Sequence, residues 1–292
     1  MLYIVRMMKS GRIFKIWGKV RQMYTAKELA QQLTKLKINP RGTLLVHSSM
    51  KSIGNVEGGA QTVLDVLCSY MKDGLLVFPT HTWAQMNQSY NVFRADSEPS
   101  CVGLLSNLFL KRPGVIRSLH PTHSVAALGR DAESFTAGEE RTTTPCPRNG
   151  CWGKLYDRKA TILFIGCTLK SNTFLHGVEE WCNMENRIAK TPQEFIVIAP
   201  DGRRFYVPQY LHHTEKPKTE PSDHYDKMEP AFKAGGAVWY GNFGAARCIA
   251  ADAVKMADIT TRYLLKDTHL FDDDNLIKEF SKWIIKPYAC VL

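Results

Sequence analysis

Leu29, Leu33 and Leu36 recur at helical spacing behind Thr25 and Glu28, a Thr-x-x-Glu capping box, and predict the first helix of the chain. Asn39-Pro40-Arg41-Gly42 stops the period, and Thr43–Val46 is a short apolar run of the kind that forms a buried strand. Gly58-Gly59 then leads into a second amphipathic helix through Val63, Leu67 and Tyr70. The apolar run Gly74–Phe78 follows as another buried strand, ended by Pro79. Helices alternating with strands in this way predict an α/β sheet with helices packed against it.

Residues 81–101 are polar and read as loop. A helix over 103–111 and strands over 124–128 and 160–166 are expected next. Phe195–Val207 carries Asp201-Gly202 between two apolar runs, the signature of a tight antiparallel hairpin. Residues 209–230 mix His, Lys, Pro, Asp and Glu without a period and read as one long loop. From Gly244 onward, Ala246, Ile249, Ala253 and Met256 predict a long helix, and a final helix is expected over 273–285. The fold class is therefore α/β: a mixed central sheet flanked by helices, with an added antiparallel hairpin, as one domain over 23–292 with room for two lobes.

Composition changes this picture only at the N-terminus. Six of the ten excess positive charges of the 292-residue chain lie in residues 1–22, which hold no acid. The remainder is nearly balanced, so 1–22 reads as a basic extension to an ordinary domain. Such an extension suits nucleic acid or anionic lipid in principle, but no motif gives it a partner, and neither is expected. No apolar run approaches the about 20 residues of a membrane span, and a cytoplasmic location is the default. The eight cysteines show no CxxC pair and read mostly as small core residues rather than as a disulfide framework or zinc site.

Three clusters carry possible chemistry. In Ser171–Trp181, a helix starting at Thr173 puts His176 in its first turn with Glu179 and Glu180 three and four residues later, on the same face. An imidazole oriented by a carboxylate is a candidate general base; the same pattern also suits a solvated helix face. His47–Ser52 follows a strand, and its hydroxyls, Lys51 and free backbone N–H groups suit a phosphate. It is not a Walker A loop, and GxGxxG is absent as well. Arg117–Val125 brings Arg117, His120 and His123 together; His120 and His123 lack acidic or thiol partners at metal-binding spacing, and His212-His213 has the same limitation. No HExxH or GxSxG motif occurs, so neither a metal nor a serine nucleophile is expected.

Taken in order, VHSSMKSIG (46–54), GLLVFPTHTW (74–83), RSLHPTHSVAALG (117–129) and SNTFLHGVEEW (171–181) resemble the aminoglycoside 3-N-acetyltransferase family. The similarity spans about residues 25–265. It implies a fold distinct from that of the GNAT acetyltransferases, acetyl-CoA as co-substrate, and direct transfer to an amine in a ternary complex. The histidine and glutamate of the family's LHxxE motif fall on His176 and Glu179, which implies that His176 is the base and Glu179 its orienting partner. Ser48, Ser49, Lys51 and Ser52 are then the residues expected to cradle the CoA pyrophosphate. Arg117–Val125 is expected to line the pantetheine and thioester end, with Arg117 at the cofactor and Ser124 and Val125 offering backbone donors to the thioester oxygen.

The implied acceptor is the 3-amino group of a 2-deoxystreptamine aminoglycoside. A polycationic acceptor calls for acids, which Glu180 and Asp223 are expected to provide together with Glu185, Asp226 and Glu229. Lys216 and Lys218 share that stretch with His212 and His213, however, and the chain is not acidic overall. A less cationic amine and a non-catalytic CoA-binding module therefore stay open as alternatives. Nothing in the sequence sets an oligomeric state.

Overall fold

The computed structural model describes residues 22–213 and 219–277 together with the backbone of Leu2–Lys9 and Arg12–Lys19. Its centre is a seven-stranded sheet in the order Val238–Phe243, Ala246–Asp252, Thr161–Ile165, Thr43–Ser48, Leu75–Pro79, Val125–Gly129, Ile116–Arg117. The three middle strands (161–165, 43–48 and 75–79) run parallel, and the outer four pair antiparallel. The sheet is mixed, as expected.

Both faces of the middle strands are covered, which explains their unbroken apolar runs. Leu45, Ile162 and Phe164 point into a core closed by the helices Cys151–Asp157, Thr173–Trp181, Glu229–Ala234 and Ala253–Leu264. Their neighbours Leu44, Val46, Leu163 and Ile165 point into a second core under Ala26–Lys35, Gly59–Tyr70 and Leu104–Phe109. The first of these helices starts on the expected box: Thr25 Oγ1 accepts from Glu28 N, and Thr25 N donates to Glu28 Oε2.

The hairpin Gln193–Ile198 with Arg204–Gln209 is present and turns at Asp201-Gly202. A third strand, Val92–Arg94, pairs parallel to it and closes a small separate core around Phe93, Phe195 and Val207. Residues 81–101 thus hold a strand as well as loop, because Val92-Phe93 finds its partner only a hundred residues later.

Gly244 corrects another expectation. Residues 246–252 form a strand, and the helix begins only at Ala253, capped by Asp252 accepting from Lys255 N. Gly244, at φ +61°, turns the chain between Val238–Phe243 and Ala246–Asp252, and a side chain there would collide with Ile53. The small residues 246–253 satisfy either period, and pairing against Thr161–Ile165 decides it.

The stretch 209–230 is only partly loop. Pro221–Met228 is a 3₁₀ segment with Tyr225 and Met228 fully buried. Within the expected helix 273–285, residues 273–277 are not helical and the rest lie outside the described residues, as do Lys216 and Lys218. In the basic extension the backbone of Leu2–Lys9 pairs antiparallel with Arg12–Lys19.

Candidate active site

The parallel strands 43–48, 75–79 and 161–165 end on one side of the sheet, where ligands of open α/β folds bind. A cavity of about 640 Å³ opens there. His47, Ser48 and Pro79 come to it from strand ends, Cys167 and Lys170 from the connection after 161–165, and His176 from the helix beyond.

That helix, Thr173–Trp181, is fixed by its apolar stripe: Phe174, Leu175 and Val178 are fully buried. Gly177 lets the Cys146 segment close on it. A Cβ at Gly177 would lie 3.0 Å from Trp181 and 3.3 Å from Cys146 O, the carbonyl that accepts the Trp181 indole N–H at 2.9 Å. The packing leaves His176 at the cavity with its side chain 18% exposed, and sends Glu179 inward at 1%.

Glu179 does not bond His176 directly, since Oε2 lies 3.6 Å from Nδ1. The Tyr225 hydroxyl stands between them. It donates to Glu179 Oε2 at 2.5 Å, and its oxygen lies 2.8 Å from His176 Nδ1. A hydroxyl has one proton to give, so with that proton on the carboxylate the imidazole must donate its Nδ1–H to Tyr225. His176 then carries its lone pair on Nε2, which has no partner among the described residues. Burial alone would raise the pKa of Glu179, but His176, the Arg187 guanidinium and the Tyr225 hydroxyl outweigh it and hold the acid below its ordinary value. Sequence reasoning missed Tyr225, which sits in a stretch without a period, and Arg187, which carries no motif.

Four more histidines line the cavity: His47, His81, His123 and His212. Burial pushes His47 down to about 3, and holds His81, His123 and His212 well below their ordinary value, so all four are neutral imidazoles. His81 Nε2 meets Thr173 Oγ1 at 3.0 Å. His81 Nδ1 and His47 Nε2 are buried without a partner among the described residues.

Glu180, expected to face the acceptor, lies behind the cavity lining. Its side chain is 6% exposed and does not line the cavity. Oε1 accepts the Cys146 N–H at 2.8 Å and lies 3.1 Å from His212 Nε2. Burial pushes Glu180 up to about 7. Cys146, Glu180 and His212 bring possible metal ligands within 4.8 Å of one another, but burial also keeps the Cys146 thiol protonated, and hydrogen bonds already satisfy the group. Asp223 is likewise displaced from the expected role: it is exposed and caps its own 3₁₀ segment by accepting from Glu220 N. Of the other acids considered, Glu185, Asp226 and Glu229 do not line the cavity either; Glu220 does.

Among the residues expected at the cofactor, Ser48 lines the cavity. The Ser52 hydroxyl donates within 2.9 Å of Ser49 Oγ and 3.1 Å of Gly166 O, so the two serines brace the turn. Lys51 is exposed and belongs to a neighbouring depression with Tyr24 and Asn55. Arg117 is a correction. It is buried and donates to Ser124 Oγ, Glu98 O and Thr80 O, so it ties loops together away from the cavity. Ser124 is fully buried, and the Val125 N–H already donates to Ser118 Oγ at 3.1 Å, so neither presents a backbone donor to the cavity. Lys170 lines it instead, the one Lys or Arg among the described residues to do so.

The order of the sequence motifs coincides with one family. Residues 45–265 match the family described as aminoglycoside 3-N-acetyltransferase, and the chain belongs to it. Aminoglycoside N(3)-acetyltransferase III of Salmonella sp is 31% identical over 183 residues, which is 56% of this chain and 63% of that protein, so the match spans a little under two thirds of the relative's length. The SPbeta prophage-derived aminoglycoside N(3')-acetyltransferase-like protein YokD of Bacillus subtilis (strain 168) is 24% identical over 272 residues, 83% of this chain and 93% of that one. The crystal structure of YokD superposes with a TM-score of 0.73 at 22% identity, covering 84% of this chain and 95% of the other. AAC-IIIb, solved as a binary complex with CoASH, gives 0.72 at 21% identity, over 84% and 97%. At these identities the two structures establish the fold.

Proposed function

We propose that this protein is an acetyl-CoA-dependent N-acetyltransferase that acetylates an aminoglycoside, at the 3-amino group of 2-deoxystreptamine, by general-base catalysis in a ternary complex. The observation that carries the reading is the Tyr225 hydroxyl held between His176 Nδ1 and Glu179 Oε2, which leaves Nε2 as the basic nitrogen at the cavity. An amine attacks a thioester only as the free base, and alkyl ammonium groups are mostly protonated near neutrality. A positioned imidazole that takes the amine proton has a definite task, typically worth ~10²–10⁴-fold. Glu179 supports the imidazolium through Tyr225, and Arg187 keeps that carboxylate charged and in place. No side chain needs to be acylated.

Acetyl-CoA as donor is supported by family membership and by the CoASH complex of the AAC-IIIb neighbour. Ser48 and Lys170 are the groups suited to its phosphates inside the cavity, with Ser49, Lys51 and Ser52 at the adjoining turn. Acetyl-CoA supplies the activated acetyl group; the chain's own residues orient the amine, remove its proton and exclude water.

One observation favours a less cationic acceptor as the second reading. Among the described residues, the cavity wall has a single carboxylate, Glu220, against Lys170, and otherwise presents imidazoles, Trp83, Met86 and Leu211. Thiol release from acetyl-CoA, measured with 2-deoxystreptamine aminoglycosides beside simple amines, decides between them. Release with aminoglycosides supports the first reading, and release only with simple amines supports the second. Acetyl-CoA binding without release on any amine leaves a non-catalytic CoA-binding module and removes both.

A further inference from the structure

Glu179 and Glu180 are neighbours in sequence, yet each carboxylate serves a different histidine. Glu179 reaches His176 through Tyr225, and Glu180 meets His212 Nε2 directly at 3.1 Å. The two imidazoles pack with ring centroids 4.5 Å apart and both line the cavity. They are wired in opposite senses: His176 is held through Nδ1, and His212 through Nε2.

We propose that His212 is the proton donor to the departing CoA thiolate, with Glu180 as the source of its proton. This rests on the acetyltransferase reading above and adds the acid that the base requires. As the amine nitrogen attacks the thioester carbonyl, the C–N bond forms and the amine proton passes to His176 Nε2. The C–S bond then breaks, its electron pair leaves on sulfur, and His212 gives the Nδ1 proton to the thiolate. Nε2 takes the Glu180 proton in return. Solvent removes the proton from His176 and delivers one to His212 Nδ1, whose Nε2 proton returns to Glu180, so the pair is reset and the products are the amide and CoASH. A thiolate set among the buried neutral rings of His47, His81 and His123 is poorly solvated, which gives the donor its purpose.

The surroundings keep the pair in the required state. Burial favours the carboxylic acid of Glu180 and the neutral ring of His212, so the proton resides on oxygen and Nε2 accepts it. The titratable groups around the pair are His176, His123 at 4.8 Å from the His212 ring, His81, His120, Glu179 and Cys146, and burial keeps His81 and His120 neutral as well. His123 is neutral and Cys146 protonated, so neither draws the proton away. A base and an acid side by side, with environments that set their protons apart, is the arrangement that acyl transfer between two heteroatoms needs.

The test is kcat against pH for wild type, Glu180→Gln, His212→Gln and His212→Ala, using acetyl-CoA and an amine that wild type accepts, with acetyl-CoA binding checked in each variant. Expected are a wild-type kcat that falls as pH rises through about 7, loss of that fall in Glu180→Gln, and a drop of about 10²-fold or more for both His212 variants. Added imidazole should restore His176→Ala in proportion to its free base, and should restore His212→Ala only where Glu180 keeps its proton, with the rescue lost as pH rises through about 7. Wild-type kcat in the His212 variants, or rescue of His212→Ala that persists unchanged above about pH 7, overturns the assignment while leaving the acetyltransferase reading intact. A wild type that releases no thiol with any amine removes that reading, and this assignment with it. If His212→Ala does not fold, His212→Gln and the Glu180→Gln profile decide.

Discussion

Arg187 Nε donates to Glu179 Oε1 at 2.5 Å with the two side chains 7% and 1% exposed, while the other end of the guanidinium donates to Asp272 Oδ1 at 2.8 Å. The pair is the anchor on which the His176 wiring depends. Arg187→Ala leaves the Glu179 charge buried and uncompensated, which costs about 3–5 kcal/mol. Urea denaturation should show that loss. Lysine should restore only part of it, because one ammonium cannot reach two carboxylates along the same fork.

Tyr225→Phe isolates the relay. The ring is fully buried and packs at 4.7 Å on Phe271, so phenylalanine keeps the packing. It removes the hydroxyl on which both Nδ1 and Oε2 depend. Stranding two buried polar groups costs about 1–3 kcal/mol. The functional expectation is a kcat lower by roughly 10–100-fold with the KM for acetyl-CoA retained, since the imidazole loses its fixed tautomer. A KM rise without a kcat change would move Tyr225 from the base to the binding wall.

His176→Ala should lower thiol release by ~10²–10⁴-fold and leave acetyl-CoA affinity close to wild type. Glu179→Gln should fall short of that. It keeps the shape of the site but takes the charge from beneath the imidazolium, and it leaves the buried Arg187 with Asp272 as its remaining carboxylate. Comparing the two by kcat, with CoA binding measured separately, distinguishes proton transfer from orientation.

The helix carrying His176 and Glu179 was legible in the sequence, and the wiring between them was not. His176 and Glu179 share a helix, so three-residue spacing alone brings them near one another. Tyr225 lies 49 positions from His176, in a segment whose only regularity is a 3₁₀ turn, and no local pattern announces such a contact. Glu180 is expected to face a cationic acceptor; here the Cys146 segment closes over it, which Gly177 permits. Arg117, expected at the cofactor within the segment for the pantetheine and thioester end, is instead buried and bonded to backbone carbonyls of its own fold. The sheet order is similarly non-local: the strand 246–252 is decided by pairing with 161–165, which helical spacing cannot reveal.

Stability should climb between about pH 4.5 and 6.5, for reasons that lie in the cavity wall. His47, His81, His120, His123 and His212 have ordinary values of 6.5, and burial lowers all of them in the fold, His47 to about 3 and His120 to about 4. In that window the unfolded chain binds protons that the folded one refuses, so their contribution is present above 6.5 and lost as pH falls. Glu139 and Glu180 oppose this. Burial raises each from 4.5 to about 7, so the folded chain holds protons that the unfolded one releases, and their contribution is lost as pH rises. The histidines outnumber the acids, which fixes the net direction as upward with pH. Glu139 donates nothing to the cavity; its Oε1 accepts the Cys151 N–H at 2.7 Å. Glu139→Gln should therefore steepen the climb by about 1.4 kcal/mol per pH unit, one proton's worth, without touching the proposed chemistry. Urea midpoints at several pH values measure the slope, and a slope that flattens instead would place the Glu139 proton on the wrong side of the folding reaction.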